Sequence, residues 1–144
     1  YMLKAFLLHY FAKMGLRPED VAAEADLGGV RPDIYVGPMG VAVEVETFYG
    51  TGAAPWAKLN ETVEKYNSIS EKEGSRLREV WLVVPPLQTA LFLGGLMRLY
   101  REWRKRGRRV RVFTVDVTRE KLVPIEKYAR RITKVVRQAE RHFQ

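Results

Sequence analysis

The chain contains no cysteine, which rules out a disulfide framework and any thiolate metal site. That composition suits a reducing cytoplasm, the location expected for it. Histidine is nearly as scarce. His9 and His142 stand near opposite ends of the sequence, so no pair has the spacing of a histidine metal site. No run of 18 or more apolar residues occurs, and a membrane-spanning helix is not expected. The apolar stretch at residues 2–10 is too short and too aromatic to read as a signal peptide. There is no phosphate-cradling Walker loop, no nucleotide-binding glycine fingerprint and no Gly-x-Ser-x-Gly elbow. Internal repeats and low-complexity segments are also missing. Asn and Gln are few and Arg is plentiful, a composition of thermophilic character.

What remains is a chain of 144 residues, long enough for one domain with a substantial core. Its hydrophobic content of 47% and charged content of 29% are ordinary for a globular protein. The net charge of +8 is divided unevenly. Residues 1–97 hold 9 Lys/Arg against 12 Asp/Glu, whereas residues 98–144 hold 16 against 5. A C-terminal third with a net charge of +11 calls for a polyanionic partner, with a merely solvated basic surface as the plain alternative.

Hydrophobic periodicity lays out alternating helices and strands. Leu3, Phe6, Leu7, Tyr10, Phe11 and Met14 recur at helical spacing, and Gly15 stops that helix. The alanine-rich segment 21–27 fits helix or strand equally. A second helix is expected over 56–73, with Leu59, Val63, Tyr66 and Ile69 on one stripe. Residues 79–84 form a continuous apolar run stopped by Pro85-Pro86, as suits a central strand covered on both faces. A third helix is expected over 87–106, where Gly94-Gly95 predicts close packing or a break. Residues 108–117 alternate Val110, Val112 and Thr114 against Arg111, Phe113 and Val115, the pattern of another strand. The strand–helix–strand order implies a crossover and at least partly parallel pairing.

The chemistry concentrates in Arg31-Pro32-Asp33-Ile34-Tyr35-Val36 and Val41-Ala42-Val43-Glu44-Val45-Glu46-Thr47. The intervening Gly37-Pro38-Met39-Gly40 is turn chemistry and predicts a hairpin. Alternation sends Val41, Val43 and Val45 to one face of the second strand and Ala42, Glu44 and Glu46 to the other. The hairpin brings Asp33 beside the two glutamates. Three carboxylates on one face repel one another unless a positive group sits among them, and a hard divalent cation takes oxygen ligands. The plain alternative leaves Glu44 and Glu46 on a solvated strand face and Asp33 closing a turn.

Pro32-Asp33 followed by Glu44-Val45 on the next strand resembles the signature of the PD-(D/E)XK nuclease superfamily, over roughly residues 3–115. Glu46 stands where that family usually carries Lys. The resemblance implies an α/β restriction-endonuclease-like core, a mixed β-sheet flanked by helices, with segment 21–27 as a strand. It also implies a Mg2+ or Mn2+ ion held by Asp33, Glu44 and the Val45 carbonyl, and hydrolysis of DNA phosphodiester bonds in repair, recombination or mobile-element biology. Glu46 then serves as a second-metal ligand or as a general base. Glu24 is a further acidic candidate, since the family often adds a carboxylate from that region. Lys58 and Lys65 are candidates for a displaced catalytic Lys, or else solvated residues beside Glu61 and Glu64. Arg31, next to the motif, is positioned to bind substrate phosphate.

Pro124 opens a last helix, expected over about 124–142, whereas the nuclease-like core covers about 3–117. On a helical wheel Ile125, Tyr128, Ile132, Val135, Val136, Ala139 and Phe143 share one side, and Lys127, Arg130, Arg131, Lys134, Arg137 and Arg141 share the other. The apolar side is expected to dock on the core or on a second copy of the chain. The basic side fits a phosphate backbone, with each neutralised phosphate releasing counterion. Docking would use up the apolar stripe, which argues against a membrane surface. A homodimer, or a place in a larger protein or complex, is compatible with this helix. The alternative to catalysis is an inactive module of the same fold that binds nucleic acid or mediates assembly.

Overall fold

The structure, a computed structural model, describes residues 2–48 and 55–143. Five helices and six strands follow the order α1 (Met2–Lys13), β1 (Val21–Ala23), β2 (Ile34–Val36), β3 (Val41–Val45), α2 (Pro55–Ser70), β4 (Glu79–Val83), α3 (Pro86–Leu91), α4 (Leu93–Lys105), β5 (Val110–Asp116), β6 (Lys121–Pro124) and α5 (Ile125–His142). The strands form one mixed sheet in sequence order. β3, β4 and β5 are parallel, while β1, β2 and β6 pair antiparallel with their neighbours. The molecule is α/β, an open six-stranded sheet flanked by helices.

Strand alternation sorts the core into two layers. Val41, Val43, Trp81, Val83, Phe113 and Val115 face α1, where Leu7 and Phe11 are fully buried. Ala42, Val80, Leu82, Val110 and Val112 face α2, α4 and the start of α5. β4 is therefore covered on both faces, which is why its sequence is an unbroken apolar run. Trp103 of α4 is fully buried and donates its indole N–H to Asn60 Oδ1 of α2 at 3.0 Å. A ring of that size removed from water stabilises the α2–α4 contact by roughly 3 kcal/mol.

The β2–β3 connection is a 3-10 turn over Gly37–Met39 closed by Gly40. Gly40 has φ +64°, and a Cβ there would lie 2.6 Å from the Arg76 carbonyl oxygen. No side chain fits, so the hairpin register is fixed by backbone geometry and steric space together. That register pairs Ile34 with Val43 and Tyr35 with Ala42.

Several boundaries differ from the sequence reading. β1 covers only three residues of the expected 21–27, because Glu24 adopts φ +54° and turns the chain out of the ladder. Met14 lies beyond α1 and is exposed, so the core stripe ends at Phe11. The helix expected over 87–106 is two helices separated at Phe92. Gly95 then passes so close to Trp56 that a Cβ would overlap its indole, which realises both the break and the close packing. β6 was absent from the sequence reading. It shows only one buried residue, Val123, too little to register as alternation. The Gly and Pro content of segment 48–55 predicts a loop lining the site, and most of it, residues 49–54, lies outside the described residues.

α5 corrects the expectation for its apolar side. Only Ile125 is fully buried, and Tyr128 and Ile132 are half-buried. Val135 is 59% exposed, Val136 48% and Phe143 86%, so the stripe docks for about two turns and continues uncovered. No described helix is long and apolar enough to cross a membrane.

Candidate active site

The parallel register carries β3 alongside β4 to the point where Glu44 pairs with Leu82 and Val45 with Val83. One residue further, the Glu46 N–H still donates to the Val83 carbonyl at 2.9 Å. Glu44 and Glu46 thus sit at the carboxyl end of β3. Asp33 immediately precedes β2, and the Ile34–Val43 pairing places it across from Glu44. The Asp33 side chain extends the ladder itself: its Oδ2 accepts the Val45 N–H at 2.7 Å. Pro32, buried, fixes the chain just before it.

Glu44 points to the α2 face, next to buried Ala42. Tyr66 of α2 donates its hydroxyl to Glu44 Oε1 at 2.5 Å. Burial pushes the Glu44 carboxyl up from 4.5 to about 7. The Tyr66 hydrogen bond opposes that rise, whereas the charge of Asp33, a hydrogen bond that the protonated Glu44 carboxyl donates to it and the charge of Glu46 reinforce it. The Tyr66 hydroxyl is in turn held above its ordinary value by burial and by the Glu44 carboxylate. Glu44 therefore keeps its proton up to about neutrality.

Glu46 is anchored differently. Its Oε1 accepts the N–H of Phe48 at 2.8 Å, and Phe48 itself adopts φ +63°. The Phe48 ring packs against Phe92, 4.8 Å between centroids, and against Trp56 at 5.7 Å. Trp56 and Phe92 complete the cluster edge-on. The three rings pack together beside Glu46, which is tied to them through the Phe48 backbone.

The three acids named from the sequence are therefore brought together, each with one oxygen already engaged by a protein donor. Among the described residues no group of three or more His, Asp or Glu side chains has converged into metal-holding geometry. The donor chemistry itself suits a hard cation, because Asp33, Glu44 and Glu46 present oxygen alone. The Val45 backbone is at the site through its N–H, which holds Asp33.

The secondary candidates are not gathered there. Glu24 is exposed beyond the end of β1. Lys58 is exposed on α2, and Lys65 is exposed and pairs with Glu61 at 3.1 Å. Arg31 is exposed, and its charge helps to hold the Asp26 carboxyl low, after the Gly29 and Gly28 N–H groups. Lys127, Arg130, Arg131, Lys134, Arg137 and Arg141 are all exposed on α5.

Two residues that the sequence reading did not single out are at the site. Tyr66 is one; its signal was a hydroxyl within an otherwise aliphatic stripe, since a buried tyrosine needs a partner for its O–H. The other is Lys4 of α1. With Asp33, Val45, Thr47 and Pro85 it lines a cavity of about 430 Å3 on the opposite side of the sheet's end. No sequence signal marks Lys4, because the approach of the α1 N-terminus to β3 is a tertiary event. Comparison of the chain with protein-family models, with curated proteins and with solved structures returned no match.

Proposed function

We propose that the chain is a metal-dependent endonuclease of restriction-endonuclease-like fold, hydrolysing DNA phosphodiester bonds at Asp33, Glu44 and Glu46. The observation that carries this reading is the cross-strand pair of Asp33 and Glu44 at the carboxyl end of β3, with Glu46 close enough to raise the Glu44 carboxyl further. A structural role does not need a half-buried pair of carboxyls, which weakens the sheet end it occupies. The order helix, three antiparallel-paired strands, helix, parallel strand agrees with the resemblance noted for residues 3–115.

Mg2+ or Mn2+, when bound, polarises a phosphoryl oxygen and lowers the pKa of a bound water. Asp33 and Glu44 are the residues to hold it, and Glu44 must first release the proton it keeps near neutrality. Tyr66 fixes the Glu44 carboxyl in place through its hydroxyl. In the hydrolysis, water oxygen bonds to phosphorus, the bond to the leaving oxygen breaks, and the leaving oxygen takes a proton from solvent. Glu46, held by the Phe48 N–H, accepts the proton of the attacking water. Lys4 lines a cavity with Asp33 on the other face of the sheet's end, and its positive charge is there to meet a substrate phosphate.

Two observations favour a second reading, a nuclease-fold module that binds nucleic acid without cleaving it. Glu46 replaces the motif Lys, and the described acids have not converged on a metal geometry. A plasmid-nicking assay with Mg2+ or Mn2+, alongside calorimetric titration of each ion, decides between the two. The nuclease reading expects nicking and metal binding in the wild type, both lost in Glu44→Ala and Asp33→Asn. Nicking that survives Glu44→Ala overturns it. DNA binding with neither metal uptake nor nicking establishes the inactive module.

A further inference from the structure

α4 and α5 enclose a groove of about 670 Å3 at the surface. Its walls carry Arg101 from α4 and Arg130, Lys134, Arg137 and Arg141 from α5. The single carboxylate lining it, Glu126, is already engaged, accepting the Tyr100 hydroxyl at 2.7 Å. Arg104 in turn donates to the Tyr100 oxygen at 3.2 Å, which ties the base of the groove to α4.

Some cations elsewhere on this protein have carboxylate partners. Lys13 and His9 reach Glu120, Arg17 reaches Asp20, and Arg106 and Arg108 share Glu64. Among the described residues none of the five groove cations has an ion pair within 4.0 Å. Five like charges converging on one concavity repel one another, and the two helices gain nothing from that arrangement by themselves. The groove has a geometry as well as a charge. Arg130, Lys134, Arg137 and Arg141 follow one another at helical intervals of four, three and four, a stripe about 16 Å long at ~1.5 Å per residue. One strand of a duplex carries a phosphate every ~3.4 Å of axis, so the stripe is matched to roughly four or five successive phosphates.

We infer that the α4–α5 groove is the seat of a nucleic-acid phosphodiester backbone, with Arg101 and the Arg130–Arg141 stripe on its two walls. This deepens the proposed function by locating the substrate's backbone. It also divides the cations of α5, because Lys127 and Arg131 do not line the groove and belong to a solvated face. A lipid headgroup surface fits less well. Membranes are met by convex faces that press their apolar stripe into the bilayer. These cations instead line a concavity, and the exposed Val135 lies on another side of the helix from Lys134.

The test measures binding alone, in EDTA, so that it stands apart from catalysis at Asp33 and Glu44. Fluorescence anisotropy follows labelled single-stranded and duplex oligonucleotides over a range of NaCl concentrations. The proteins are wild type, Arg101→Glu, Lys134→Glu and, outside the groove on the same helix, Lys127→Glu. Both groove variants are expected to weaken binding at least tenfold and to flatten the slope of log affinity against log salt by about one to two. Lys127→Glu is expected to change affinity less than threefold. All three positions are exposed, and circular dichroism verifies that the variants fold. Equal losses in Arg101→Glu and Lys127→Glu would overturn the seat, since only diffuse charge would then matter. Oligonucleotide binding absent at low salt overturns it too, as does wild-type binding to phosphatidylserine vesicles in place of oligonucleotides. Groove-dependent binding by a wild type that neither nicks DNA nor takes up Mg2+ or Mn2+ would leave the seat standing and remove the catalytic reading.

Discussion

Tyr66 of α2 and Glu44 of β3 are joined by a 2.5 Å hydrogen bond in which the phenol donates and the carboxyl accepts. The bond links the crossover helix to the strand that carries the acidic site. It is also the one nearby interaction that lowers the Glu44 carboxyl, against burial and two neighbouring acids that raise it.

Tyr66→Phe keeps the ring and removes the donor. The Glu44 carboxyl should then titrate higher still, and the protein should lose about 1–2 kcal/mol of stability. For a chain of this size that is a fall in melting temperature of roughly 3–8 °C. Carbon-detected NMR titration of the Glu44 carboxyl measures the first effect and thermal denaturation the second. A Glu44 carboxyl that titrates lower in the variant would show that the phenol acts on something else.

The Asp33–Glu44 pairing was legible in the sequence because Gly37-Pro38-Met39-Gly40 dictates a tight turn, and a tight turn fixes register. Once Ile34 lies opposite Val43, Asp33 can only lie opposite Glu44. The central strand was equally legible, since burial on both faces of β4 leaves a continuous apolar run. What was not legible depends on contacts between distant segments. Lys65 and Tyr66 are adjacent on α2, and only packing decides that the tyrosine faces the acids while the lysine pairs with Glu61. Lys4 reads as a polar position of an ordinary amphipathic helix until the fold sets it beside Asp33. The end of β1 turns on a left-handed backbone at Glu24, which its residue type does not announce.

Lys4→Met retains the stem of the side chain and removes its charge. Lys4 makes no ion pair within 4.0 Å among the described residues, so stability should stay within about 0.5 kcal/mol. Cleavage should fall about 10- to 100-fold, as expected for one lost charge beside a transferring phosphate. Metal affinity measured by calorimetry should hold steady. Unchanged cleavage would exclude Lys4 from the site.

Gly95→Ala tests how firmly the aromatic cluster is seated. The added methyl overlaps the Trp56 indole, which must move against Phe48 and Phe92. Overpacking of this kind costs about 1–3 kcal/mol. The change should appear in thermal denaturation and as a shift in tryptophan emission when the indole leaves its contacts. Phe48 also holds Glu46 through its backbone, so cleavage should fall alongside stability.

Glu44 gives the fold a pH dependence whose sign is opposite to that of a salt-bridged acid. Glu44 titrates near 4.5 when unfolded and at about 7 when folded. Between those values the native state binds the extra proton, so stability is full below about pH 4.5 and declines as the pH rises through 7. The decline amounts to at most ~3 kcal/mol, because part of the carboxyl is solvated. Glu44→Gln mimics the protonated form and should flatten this slope while raising stability at about pH 8. Asp33→Asn should flatten it partly, since the amide oxygen can still accept the Val45 N–H while the neighbouring charge is gone. Thermal denaturation in EDTA from about pH 4.5 to 8 measures all three proteins. Millimolar Mg2+ or Mn2+ should then recover the wild type's lost stability at about pH 8 and have little effect near pH 5, where Glu44 holds its proton. A wild type whose stability rises over this range would mean that Glu44 is ionised in the folded protein, and that the charge of the site is already balanced without a cation.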